Sequence, residues 1–342
     1  MGSTARTTLA AVAAAVAAAL AAKAAVKHRA RRAADSGGPS RPGIPASPTR
    51  TRPPVPPALP PGRVLNLPGR GEVFVRDSGG TSAGPAVLLL HGWTASADIN
   101  FFPVYACLAQ SYRVIGLDLR GHGRGMKSME AFSLEDCADD AAAVLRQLGV
   151  DRAIVVGYSM GGPVGLLLAR RHPGLVAGLV MQATALEWRH ARERAVWGLL
   201  PVFDVGLRSG AGAGFFEWVV RRAAREDPAI GRYQPWLAAE FQRATARDLV
   251  AAGRALSRYD ARPWAEQLDT PAAVLVTTRD ALVQAAKQRE LAKALRADVV
   301  EIDADHDLPL AKGAVYARLT RLQVDRTAAA GGRTSRETGA AT

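Results

Sequence analysis

Cysteine is scarce in this chain: Cys107 and Cys137 are the two among 342 residues. Two cysteines cannot build a disulfide framework, and each reads as a small apolar core residue. Metal-ligand spacing is absent too. His28, His122, His172 and His190 are scattered and read as turn, helix-end or surface residues, so neither metal nor cofactor is expected. No G-x-x-x-x-G-K-[ST] occurs, and the glycines at 121, 123 and 125 do not make G-x-G-x-x-G, which argues against a phosphate-binding loop. Zinc-finger spacing and basic runs interleaved with aromatics are also missing. The formal charge of +13 therefore does not imply nucleic-acid binding. It sits in the tails: nine Lys/Arg against Asp35 place +8 in residues 1–62, residues 325–342 add +1, and the body keeps +4.

A long apolar run is lacking as well. Thr7 to Ala22 is mostly alanine, weakly apolar, and shorter than the ~20 residues that span a bilayer. Lys23, Lys27, Arg29, Arg31 and Arg32 follow it. Three readings stay open for residues 1–35: a marginal membrane anchor with the catalytic domain cytoplasmic, a cleaved export signal, and an Arg-rich transit peptide or plain disordered tail. Residues 36–62, with Pro53-Pro54-Val55-Pro56-Pro57, read as an extended linker. Residues 325–342, rich in Ala, Gly, Thr and Arg, read as a disordered tail.

What is present is alternation. Short apolar runs at Val64–Leu67, Glu72–Arg76, Ala86–Leu90, Arg113–Leu119, Ala153–Val156, Leu175–Gln182, Ala272–Thr277 and Asp298–Ile302 are strand-like. Helical segments are expected at Ile99–Gln110, Leu134–Leu148, Gly161–Arg171, Val283–Leu295 and Leu310–Leu322. Such alternation predicts an α/β core over 63–183 and 265–324 with a mainly parallel sheet. Residues 184–264 break the rhythm, are helical in composition apart from a glycine-rich gap at Ser209–Gly214, and read as an inserted cap. Its tryptophans and phenylalanines read mostly as packing, and Arg189, Arg192, Arg194, Arg221, Arg222 and Arg225 as a solvated face.

The chemistry concentrates in Gly157-Tyr158-Ser159-Met160-Gly161, between a strand and a helix. There the turn lifts a serine Oγ beside the first N–H groups of the helix, where negative charge is favoured. A serine needs a base, and the base an orienting acid. The chain supplies Asp280 after one strand and His306 after the next, and loops at the carboxyl ends of parallel strands share one edge. Asp303, Asp305, Asp307 and, more distantly, Glu187 remain open as alternative acids. Backbone N–H groups of Met160 and of Trp93, in His91-Gly92-Trp93, are the expected oxyanion donors, and His91 reads as structural.

Together with Asp118-Leu119-Arg120-Gly121-His122-Gly123, these segments resemble the α/β-hydrolase superfamily over about residues 63–322. The resemblance implies an eight-stranded sheet flanked by helices, a helical cap inserted after the sixth strand, and cofactor-free hydrolysis through an acyl-enzyme. It also implies that dehalogenases and epoxide hydrolases of this fold carry aspartate where Ser159 stands. Thr277-Thr278-Arg279-Asp280 departs from the family pattern, lacking the glycine and proline often seen there. The expectation is a serine esterase with catalytic residues Ser159, His306 and Asp280, acting on a small-molecule ester. Other acyl transfer, C–C bond hydrolysis, perhydrolysis and a non-enzymatic binding module are the alternatives.

Overall fold

Val87 through Leu90 and Ile154 through Val156 carry apolar side chains in unbroken succession, so their strands must be covered on both faces. A computed structural model describes residues 56–80, 84–127, 130–208 and 211–339, and in it both faces are covered. Eight strands form one sheet: β1 (Gly62–Leu67), β2 (Gly71–Asp77), β3 (Ala86–Leu90), β4 (Val114–Leu117), β5 (Ala153–Tyr158), β6 (Val176–Gln182), β7 (Ala272–Thr277) and β8 (Asp298–Ile302). Their order is β1-β2-β4-β3-β5-β6-β7-β8. The β1–β2 and β2–β4 pairings are antiparallel and the remaining ones parallel.

Alternate residues of the central strands feed two cores. On one face Leu88, Leu90 and Val155 pack with α3 (Leu134–Gln147) and α4 (Gly161–Arg171). On the other, Val87, Leu89, Ile154 and Val156 pack with residues of α1 (Ala97–Phe101), α2 (Tyr105–Leu108) and the long C-terminal helix. The single helix expected over Ile99–Gln110 is thus two short ones, interrupted at Phe102-Pro103, because proline disfavours helical backbone in the residue before it.

Between β6 and β7 lie α5 (Ala191–Gly198), α6 (Leu200–Arg208), α7 (Ala211–Glu226), α8 (Gln234–Phe241) and α9 (Ala246–Arg258). Helix α7 begins inside the expected glycine-rich gap. Trp236 of α8 meets Phe102 edge-on at 5.8 Å, which fixes this helical layer to the core beside α1. The chain continues with α10 (Ala285–Ala294), α11 (Leu308–Ala311) and α12 (Gly313–Gly339).

Both ends depart from the sequence expectation. Residues 325–339 are helical as part of α12, not a disordered tail. The helix is held because Val324 and Thr327 are buried, and Gly178 of β6 lacks the side chain that would meet Thr327. The linker expected over 36–62 reaches the core early. Leu59 packs on it and the Pro60 carbonyl accepts a hydrogen bond from Arg76 at 3.0 Å. Among the described residues no helix is long and apolar enough to cross a membrane. The candidate anchor, residues 1–35, lies outside them. Cys107 and Cys137 are both free.

Candidate active site

The turn from β5 into α4 is built by small residues. Ser159 has φ 51°, a left-handed backbone that a side chain adopts only under constraint. The constraint is visible: its N–H donates to Gln182 O at 2.9 Å and its carbonyl accepts from Thr184 Oγ1 at 2.7 Å. A Cβ at Gly161 would run into the Leu90 carbonyl, so only glycine lets α4 start this close to β3. Ser159 is buried, 7% exposed, with its hydroxyl directed at a histidine.

That histidine is His306. Its Nε2 lies 3.0 Å from Ser159 Oγ and its Nδ1 lies 2.8 Å from Asp280 Oδ2. The structure thus brings together the three residues chosen from the sequence, from the turns after β5, β7 and β8. Burial alone would push the His306 imidazole down. The charge of Asp280, their hydrogen bond, and the charges of Asp305 and Asp307 outweigh it, so the group sits above its ordinary value. The Tyr158 hydroxyl fixes the loop by donating to the His306 carbonyl at 2.8 Å.

Asp280 is held from all sides. Its Oδ1 accepts the N–H groups of Leu282 at 2.9 Å and Val283 at 2.8 Å. Its Oδ2 accepts from Thr277 Oγ1 at 2.8 Å as well as facing His306. The other acids are occupied elsewhere. Asp303 pairs with Arg279 at 2.6 Å. Asp305 and Asp307 face Arg222 of α7 at 3.1 and 3.7 Å. Glu187 is buried against Lys287 at 2.9 Å. Arg222 is therefore not simply part of a solvated face, as its composition suggested: it ties the helical layer to the histidine loop.

The His91-Gly92-Trp93 turn after β3 closes the site. A Cβ on Gly92 would lie 3.2 Å from Ser159 Cβ, so this backbone passes directly over the serine. Asn100 Oδ1 pins the turn by accepting the Gly92 N–H at 2.7 Å. His91 Nε2 accepts from the Leu119 N–H at 2.9 Å, which leaves the proton on Nδ1 to donate to Gly92 O at 2.8 Å. Burial pushes His91 down to about 4, so it stays neutral and acts as a strut. Among the described residues the amide N–H groups of Trp93 and Met160 have no hydrogen-bond partner. Thr94, next to Trp93, also has positive φ, at 65°.

Sequence reasoning missed two features. His122 is fully buried, not a surface residue: its ring lies 5.4 Å from His91, and burial and that neighbour push it down to about 3. Trp93 joins Trp197 of α5 at 5.6 Å and Phe203 of α6 at 5.3 Å, with its indole N–H donating to Leu249 O of α9. A cavity of about 450 Å³ lined by Arg152, Arg170, Trp264 and Pro271 lies at the amino ends of the strands, away from Ser159.

Comparison with known proteins agrees with this architecture. A family model described as the alpha/beta hydrolase fold matches residues 85–312. Over 120 residues the chain is 36% identical to epoxide hydrolase B of Mycobacterium tuberculosis, covering 34% of this chain and 34% of that enzyme. Over 102 residues it is 35% identical to the bifunctional esterase/perhydrolase of Acinetobacter calcoaceticus, covering 30% of this chain and 37% of the relative. The chain thus matches about a third of the length of these curated relatives. The crystal structure of an enol-lactonase from Burkholderia xenovorans LB400 superposes with TM-score 0.66 at 24% identity, over 75% of this chain and 98% of that one. The strand order, the turn at Ser159 and the matched span together place the chain in the α/β-hydrolase family.

Proposed function

We propose that the protein is a serine hydrolase that cleaves a carboxylic ester through an acyl-enzyme. The observation that carries this reading is the chain of contacts Ser159–His306–Asp280 beside two uncommitted amide N–H groups. His306 Nε2 takes the Ser159 proton as Oγ attacks the ester carbonyl carbon. The resulting oxyanion is met by the Trp93 and Met160 N–H groups, each such donor contributing about 3 kcal/mol in the transition state. The imidazolium returns the proton to the leaving alcohol, leaving Ser159 acylated. Water then attacks with His306 again as base, and Asp280 holds the ring in the required tautomer throughout.

The substrate class follows from what surrounds the serine. Trp93, Trp197, Leu200 and Phe203 form an apolar wall over the turn that supplies one oxyanion donor, which suits an apolar acyl or alkyl group. The similarity to an epoxide hydrolase does not carry its activity here, because the expected aspartate nucleophile of such enzymes is replaced by Ser159. Purified protein should hydrolyse p-nitrophenyl esters of graded acyl length, and Ser159→Ala should not. Ester turnover by a contaminant-free Ser159→Ala variant would sink the proposal. Adding hydrogen peroxide or thioester analogues to the same assay separates perhydrolysis and thioester cleavage from plain ester hydrolysis.

A further inference from the structure

The departure from the family pattern at Thr277 has a physical counterpart. Thr277 ends β7, is fully buried, and places Oγ1 2.8 Å from Asp280 Oδ2, the same oxygen that faces His306 Nδ1. The direction of that bond is set by a second residue. Gln288 of α10, also fully buried, donates from Nε2 to Thr277 Oγ1 at 2.9 Å and to Val283 O at 2.7 Å. Its Oε1 accepts the Thr277 N–H at 3.0 Å. With its lone pair occupied by Gln288, the Thr277 hydroxyl commits its single proton to Asp280.

We propose that Thr277, oriented by Gln288, is a positioning residue that fixes Asp280 Oδ2 on His306 and limits how strongly that carboxylate holds the imidazolium. The inference rests on the proposed hydrolase reading for its functional meaning. A donor on Oδ2 withdraws negative charge from the oxygen that His306 sees, so the base is freed of its proton at a lower pH than an undonated carboxylate would allow. Removing the donor should raise the His306 pKa. The charged and titratable groups around the ring are Asp280 and, on its own loop, Asp305 and Asp307; Arg222 of α7 faces those two, Glu226 acts on Asp307, and Tyr158 packs from β5. None of them contacts Thr277, so a change there reaches His306 through Asp280. The balance of the step is simple: no bond is made or broken at Thr277, and one neutral hydrogen bond to a carboxylate is kept or lost.

The test compares Thr277→Val, which keeps shape and strand preference but loses the hydroxyl, with Thr277→Ser, which keeps the hydroxyl. His306 is titrated by NMR in full-length protein, its resonance assigned by loss in His306→Gln, and the acid limb of kcat/KM is measured alongside. In Thr277→Val both the titration and the limb should move up by about half a pH unit to one unit. Thr277→Ser should overlay the wild type. A Thr277→Val protein that folds, loses activity and titrates as wild type would overturn the proposal and leave Thr277 as packing alone. Ser159→Ala, run in parallel, keeps the two claims separate. If it hydrolyses esters, the functional reading fails, yet the NMR titration still decides the role of Thr277.

Discussion

Asp305 Oδ1 accepts the N–H of Ala281 at 3.1 Å, which stitches the loop carrying His306 to the loop carrying Asp280. The same oxygen accepts the His306 N–H at 2.7 Å, and Oδ2 meets Arg222. Asp305 thus turns its carboxylate to the backbone and away from the imidazole edge, and this division of labour separates the acids experimentally. Asp280→Asn should lower kcat by a large factor, on the order of the 10⁴ seen for trypsin when the wrong tautomer is favoured. Asp303→Asn, Asp305→Asn and Asp307→Asn should each cost far less in kcat. Asp305→Asn should instead show its effect in a lower melting temperature, because it loosens the two loops. Near wild-type kcat in Asp280→Asn, with collapse in one of the other three, would reassign the acid.

Two histidine populations should appear on titration. His306 is raised, so its contribution to stability is complete below its unfolded value of about 6.5 and is lost as pH rises through the folded value. Catalysis needs the neutral ring, so kcat/KM should climb over that same window above about pH 6.5. His91 and His122 are lowered, to about 4 and about 3, by burial first of all. Their contribution is complete above about pH 6.5 and drains away as pH falls toward those values. Urea midpoints should therefore decline from pH 6.5 toward pH 4, and neither imidazole should titrate by NMR above about pH 5. Titration of His91 or His122 near 6.5 would contradict the buried neutral pair.

Glycine substitutions should divide by what lies opposite. Gly161→Ala drives a methyl into the Leu90 backbone carbonyl, which cannot move without shifting β3, so the variant should be destabilised by several kcal/mol or fail to fold. Gly92→Ala meets Ser159 Cβ at 3.2 Å, a tighter contact that a small shift relieves. It should fold, but the displaced Trp93 N–H should lower kcat by about 10² or more. Thermal melts and kcat on one chromogenic ester check both. A stable Gly161→Ala protein, or an unimpaired Gly92→Ala enzyme, would show that these turns are looser than described.

The sheet and the three converging side chains were legible because they depend on local pattern. Unbroken apolar runs mark buried parallel strands, and Gly157 and Gly161 mark the tight turn around Ser159. Long-range features were not legible. Nothing local in Ala328 or Thr327 says that Gly178, some 150 residues earlier, leaves a groove for the helix that carries them. Arg222 looks like any surface arginine until Asp305 and Asp307 are brought beside it. The hydroxyl of Thr277 gains its role only when Gln288 of the next helix takes its lone pair. In each case the missing information was a tertiary partner.

The most direct test of the account is covalent. Full-length protein treated with a fluorophosphonate, and separately with a slowly deacylating p-nitrophenyl ester at acidic pH, is digested and mapped by mass spectrometry. The account predicts one adduct, on the Ser159 Oγ, formed in the wild type and absent from Ser159→Ala. It also predicts that labelling slows sharply in His306→Ala, where the proton acceptor 3.0 Å from Oγ is gone. Modification at a different residue, or no adduct on folded protein that still turns over ester, would contradict it.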